Sequence, residues 1–177
     1  VIQAGKSVPE LLEQLREYEA ATKYRVQREL RDRPKDEVVA AVKTWVASID
    51  PQDPEHDRLL VGAMWALAGQ HVVDVELVKQ ILASPTPDAR AAAAHIIADL
   101  RDYNPQAFEL LVPLVDDPNP RVRLEAIRGL SFFPTPESVT AVLGAFQHPL
   151  DSELTFSLES TLGALRPVWE QARQQGH

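Results

Sequence analysis

Apolar residues recur at spacings of three and four along almost the whole chain, the mark of amphipathic helices. Leu11, Leu12 and Leu15 form the first stripe. Ser7-Val8-Pro9-Glu10 ahead of them reads as a helix start, with Ser as N-cap, Pro in the first turn and Glu three places after the cap. A second helix runs from about Thr22 to Arg33, with Tyr24, Val26 and Leu30 on its stripe. Asp36 opens a third, carrying Val38, Val39, Val42, Trp45, Val46 and Ile49. Further helices are predicted at about 58–67, 75–82, 89–100, 107–115, 122–132, 138–146 and 154–165. Val72-Val73 and Phe132-Phe133 are β-like but too short for strands, and no alternation of period two extends over four residues. The pattern predicts an all-α chain.

Proline divides these helices at regular intervals. Asp50-Pro51-Gln52-Asp53-Pro54, Ser84-Pro85-Thr86-Pro87, Asp117-Pro118-Asn119-Pro120 and His148-Pro149-Leu150-Asp151 resemble one another, and their first prolines are 34, 33 and 31 residues apart. Proline cannot continue a preceding helix but suits a new first turn, so each segment predicts a tight helix–helix corner. Arg25, Arg58, Arg90 and Arg123 keep the same beat, with spacings of 33, 32 and 33. A fixed period of this size with two helices per period predicts an α-solenoid.

The segment Asp117-Pro118-Asn119-Pro120-Arg121-Val122-Arg123-Leu124-Glu125-Ala126-Ile127-Arg128-Gly129-Leu130 resembles the central signature of HEAT repeats: Asp-Pro, then Val-Arg, then Ala, then Leu. Ser84 to Ile97 follows it with Ser84 in the Asp place and Ala89 in the Val place, and Asp53 to Trp65 is a looser match. In the last unit Glu153 or Leu154 stands where the Arg belongs. The resemblance implies a right-handed, armadillo-like solenoid of about five helix pairs filling residues 1–177 as one domain. The pairs fall at about 8–33, 36–69, 73–101, 105–132 and 136–165, with a capping helix at 167–174. First helices are expected on the convex side and second helices on the concave side.

A narrower resemblance joins four stretches: Tyr24 to Arg31, Leu59 to Leu67, Arg121 to Ala126, and Thr161 to Trp169. Together they are similar to the HEAT-like segment of large exported proteins of planctomycete-type bacteria. There the segment lies between a dehydrogenase-like β-propeller and a c-type cytochrome domain. This likeness implies a spacer module of an exported, periplasmic protein, with its redox chemistry elsewhere. The chain opens at Val1 with no charged-then-apolar leader, as a mature or excised piece would.

Composition narrows the function classes. The chain of 177 residues has no Cys, which rules out disulfides, thiolate metal sites, a cysteine nucleophile and covalent haem attachment within it. The formal net charge of −8 argues against a general nucleic-acid binder. A relative of the HEAT-type alkylpurine glycosylases is the alternative class, but it would need a basic groove. No apolar run reaches the roughly 20 residues of a membrane span. His56, His71, His95, His148 and His177 form no His-Glu-x-x-His motif, no nucleophile elbow surrounds any serine, and no phosphate loop is present. No catalytic residue, cofactor or metal is therefore expected.

Arg25, Arg58, Arg90 and Arg123, with Asp117, are expected to form a structural ladder across the corners, because their spacing equals the repeat itself. The functional alternative for these arginines is an anionic ligand on the concave face. Lys23, Arg28, His95, Arg121, Glu125 and Arg128 are the candidate contacts for a protein partner or a neighbouring domain of the same chain. Lys23 to Lys35 is the one basic stretch: either a solvated helix face or a patch for an acidic neighbour. Trp45 and Trp65 are expected in the core, and Trp169 over the last repeat. Ala91 to Ala94 predict a closely approached helix. Gly129, Gly144 and Gly163 predict close packing inside helices, and Pro113 a kink.

Overall fold

The computed structural model describes residues 3–174, and every regular element among them is helical. The chain forms two compact units, divided at the corner between Ser84 and Pro85.

The first unit holds α1 (Val8–Glu13), α2 (Ala20–Arg31), α3 (Lys35–Ser48), α4 (His56–Ala68) and α5 (Val75–Leu82). Glu10 starts α1 as the sequence predicts, accepting hydrogen bonds from the Ser7 N–H at 2.8 Å and its hydroxyl at 2.7 Å. Its carboxyl titrates below the usual range because of those bonds. α1 packs on α3, α2 on α4, and α4 on α5. Leu11, Leu12, Leu30, Leu59, Leu60 and Ile81 are completely enclosed. At this scale each buried leucine contributes roughly 1.5–3 kcal/mol by transfer from water. Three residues past the end of α4, His71 lies in the left-handed region at φ 54°, and the Val72 N–H donates to the Leu67 carbonyl at 3.1 Å. Gln70, itself buried, donates to the Leu30 carbonyl at 2.7 Å, which also accepts from the Arg33 N–H at 3.2 Å, and so ties the residues after α4 to the last turn of α2.

The second unit holds α6 (Pro87–Asp99), α7 (Ala107–Leu111), α8 (Pro120–Leu130), α9 (Pro136–Gly144), α10 (Ser152–Ala164) and α11 (Arg166–Gln174). α8 is its centre, packed against α6, α7 and α10. Asn119, Thr135 and Asp151 cap α8, α9 and α10 through side-chain oxygens. Ala91, Ala93 and Ala94 are buried, as the alanine run predicts. Gly129 is the matching feature on α8: a Cβ there would lie 2.9 Å from Leu111 Cδ1 and 3.0 Å from Ala98 Cβ.

Several expectations need correction. Trp65 is 39% exposed and Tyr24 69% exposed, so neither belongs to the core. Trp45 is buried, and its indole N–H donates to Glu13 Oε1 at 2.7 Å. Gly144 and Gly163 have no atom within 4 Å of an added Cβ, so close packing does not explain them. Pro113 does not kink a continuous helix. α7 ends at Leu111, and Val112–Asp116 continue as a 3-10 helix with Pro113 in its first turn. α11 packs on α9 and α10, where Trp169 lines a cavity with Val139, Leu143 and Leu162.

Candidate functional site

Two groups of polar side chains emerge from these helices: one at the corners, one on the second helices. At the corners, Arg90 at the start of α6 donates to Asp117 through Nε at 2.8 Å and one terminal nitrogen at 2.9 Å. Their side chains are only 12% and 7% exposed. Burial by itself would raise the Asp117 carboxyl. The Arg90 hydrogen bonds, the Asn119 N–H at 2.8 Å and the charges of Arg90 and Arg123 outweigh it, and the carboxyl sits below its ordinary value. The same bond raises the Arg90 guanidinium.

Arg123 is buried and does not reach the Asp117 carboxylate. It donates instead to the carbonyls of Asp117 at 2.9 Å, Pro118 at 3.2 Å and Pro149 at 3.1 Å. It therefore ties its own corner to the next one. In the first unit Arg58 donates to the carbonyls of Leu15 at 2.9 Å and Arg16 at 3.0 Å, to the Glu55 carboxylate, and lies over the Tyr18 ring. The hydrogen bond from Arg58 is the main reason Glu55 titrates low. Arg25 is exposed on α2 and, among the described residues, makes no hydrogen bond or ion pair. Arg58 and Arg123 thus satisfy backbone carbonyls at the corners, while Arg90 holds a carboxylate.

On the second helices, His95, Glu125 and Arg128 come together. His95 Nδ1 lies 3.1 Å from Glu125 Oε2 and 3.0 Å from Arg128, and His95 Nε2 lies 3.1 Å from Asp99. Arg128 Nε donates to Glu125 at 3.0 Å, and its terminal nitrogen to Asp99 at 3.3 Å. Arg121 stands apart, 3.4 Å from Asp88, with both side chains well exposed. Asp88 and Arg121, like His95 and Arg128, are 33 residues apart. One repeat period therefore puts side chains side by side on stacked second helices. That rule could have found Asp88 as a partner from the sequence alone. Lys23 and Arg28 lie on α2 in the first unit, half-buried and exposed respectively.

Beside the cluster runs a groove between α8 and α10, about 580 Å³ in volume, which the sequence reading missed. Leu124, Arg128, Phe156, Ser160, Thr161 and Ala164 line it, and Phe156 is 73% exposed. Phe156 lies on the side of α10 away from buried Leu154 and Leu158, so an aromatic on the polar face was the available signal. Among the described residues no group of three or more His, Asp or Glu side chains is placed to hold a metal ion. No helix among them is long and apolar enough to cross a membrane.

A family model described as HEAT repeats matches residues 75–163. A solved crystal structure, titled an engineered protein of the Northeast Structural Genomics Consortium, is similar at 18% identity with a TM-score of 0.49. The match covers 90% of this chain and 79% of that one. No curated protein matches the chain in sequence.

Proposed function

The chain belongs to the HEAT-repeat family, and from that premise we propose that it is a non-catalytic scaffold that holds a protein partner on its second helices. The observation that carries this reading is the α8–α10 groove. An apolar floor of Leu124, Phe156 and Ala164 is bordered by Arg128 and serines, the usual pattern of an apolar centre with a polar rim. Repeat proteins present stacked helices as extended binding surfaces. In this reading His95, Glu125 and Arg128 form the polar rim, Arg121 extends it, and Lys23 and Arg28 serve a separate surface. All five helix pairs then belong to one module.

The experiment places a photocrosslinking residue at Phe156 and exposes the chain to an extract of its source cells. A discrete crosslinked partner should form. Excess unlabelled chain should compete it away, whereas excess Leu124→Asp should not. Crosslinking that ignores both competitors would refute the groove.

The finer proposal is that the module is the spacer of a larger exported redox protein and works in the periplasm. The order of the four stretches from Tyr24 to Trp169 supports it. The parent gene tests it: a β-propeller encoded before Val1 and a Cys-x-x-Cys-His after His177 would agree, and any other neighbours would remove the idea.

A further inference from the structure

We propose that the outer face of α2 is a docking surface for a short acidic segment of a partner protein. It lies in the first unit and is independent of the α8–α10 groove.

Thr22, Val26 and Leu30 face the core, so the helical repeat of α2 turns Tyr24, Arg28 and Arg31 to the opposite side, with Arg25 beside them. All four are exposed. The other arginines of this unit are engaged. Arg16 pairs with Glu13 and Asp53, Arg33 with Glu29 at 2.7 Å, and Arg58 with Glu55. Arg25, Arg28 and Arg31 have no hydrogen bond or ion pair among the described residues. The acids near them do not neutralise them. Glu29 is held by Arg33 and Glu19 accepts from the Thr22 hydroxyl at 2.6 Å, which leaves Asp32 at the helix end as one carboxylate beside three guanidinium groups.

α4 supplies a second aromatic. Gln27 donates to the Gly62 carbonyl at 3.1 Å, and Arg31 Nε lies 3.9 Å from where a Cβ on Gly69 would stand. Between these two ties on α4 lies Trp65, which is 39% exposed. Lys23 on the flank titrates below the ordinary lysine range, first through burial and then through the charge of Arg58. Three guanidinium groups with no ion pair among the described residues thus share one helix face in a chain whose net charge is −8.

This chemistry selects its partner. Free guanidinium forks match carboxylates in two-pronged geometry, and Tyr and Trp supply large contact area at small entropic cost. From Arg25 to Arg31 the helix rises about 9 Å. An extended peptide covers that distance in about three residues, so two acids at alternate positions, roughly 7 Å apart, span most of the arginine row and lie within reach of its long side chains. A long polyanion fits less well, because the remainder of the chain repels it.

The test uses the full chain and a labelled peptide of about ten residues carrying four Asp or Glu at alternate positions, read by fluorescence anisotropy at low salt. Saturable binding is expected, weakening steeply as salt rises. Arg28→Gln with Arg31→Gln should weaken it about tenfold or more, and Tyr24→Ala several-fold, with unchanged helical circular dichroism. Leu124→Asp in the groove should leave it untouched, so failure here and failure of the groove reading are separable. Four results would overturn the proposal: equal binding of the Asn/Gln version of the peptide; no loss in the double variant; tighter binding of a ten-nucleotide oligothymidylate, which would mark a single-stranded nucleic-acid surface; or self-association abolished by the double variant, which would mark a contact between copies of the chain.

Discussion

Arg90 and Asp117, 27 residues apart in sequence, meet in a two-pronged ion pair at 2.8 and 2.9 Å that joins α6 to the corner before α8. Both side chains are almost fully shielded from water. Removing one member strands the other. Asp117→Ala should therefore lower the unfolding free energy by about 3 kcal/mol, since it leaves a buried guanidinium uncompensated. Urea denaturation of wild type and variant checks this, and a loss below about 1 kcal/mol would show that the pair is solvated in solution.

The same carboxylate predicts an acid response. Its folded pKa lies below the ordinary Asp value, because Arg90 and the Asn119 N–H outweigh burial. Its contribution is thus complete above about pH 4, the unfolded Asp value, and is lost as pH falls through the lower folded value. In that window the unfolded chain binds more protons, so stability falls with pH. Wild type should lose stability more steeply below pH 4 than Asp117→Asn, as thermal melts across pH 2–6 would reveal. Parallel pH curves would contradict the shift.

Gly129→Ala sets two effects against each other. Alanine gains about 1 kcal/mol in helix propensity. Its Cβ would meet Leu111 Cδ1 at 2.9 Å and Ala98 Cβ at 3.0 Å. The leucine methyl can swing away, but the alanine methyl is fixed to its own backbone. Overpacking of this kind costs about 1–3 kcal/mol, so the net change should be a loss of about 1 kcal/mol. Gly144→Ala, where nothing lies within 4 Å, should instead stabilise. Paired thermal melts of the two variants decide it, and the same sign in both would disprove the packing account.

Arg121 and Arg128 should behave differently despite similar sequence settings. Arg121 and its partner Asp88 are 70% and 81% exposed, so Arg121→Ala should change stability by less than about 0.5 kcal/mol. Arg128 holds Glu125, Asp99 and His95 together, and Arg128→Ala leaves two carboxylates facing one imidazole. Its cost should be about 1 kcal/mol and should shrink in high salt. In partner capture, reversing both charges together, Arg121→Glu with Arg128→Glu, should weaken binding while helicity persists. Unchanged capture would take these two residues out of the binding surface.

The repeat is legible in the sequence. Proline and capping side chains act over one turn, so the corners at Pro85, Pro118 and Pro149 could be read from local chemistry alone. The Asp-Pro and Val-Arg signature then gave the family. Three-dimensional neighbours were less legible. Trp65 and Tyr24 sit within apolar runs, and periodicity alone cannot tell an aromatic on the stripe's edge from one at its centre. Gly144 and Gly163 looked like Gly129, yet only Gly129 has a neighbouring helix against its Cα.

By itself, then, the sequence determined an all-helical chain, its period, its corners and its charge, because helix periodicity, capping and proline geometry are properties of a few consecutive residues. Only the tertiary structure decided which arginines are engaged and which are free. Arg123 turned to carbonyls rather than to the Asp117 carboxylate, and Arg90 reached that carboxylate from the preceding repeat. Arg25, on the same beat, stayed at the surface with Arg28 and Arg31. The reason is physical: a guanidinium on a long stem chooses among every acceptor within its reach, and that set is fixed by packing between helices, not by spacing along one of them.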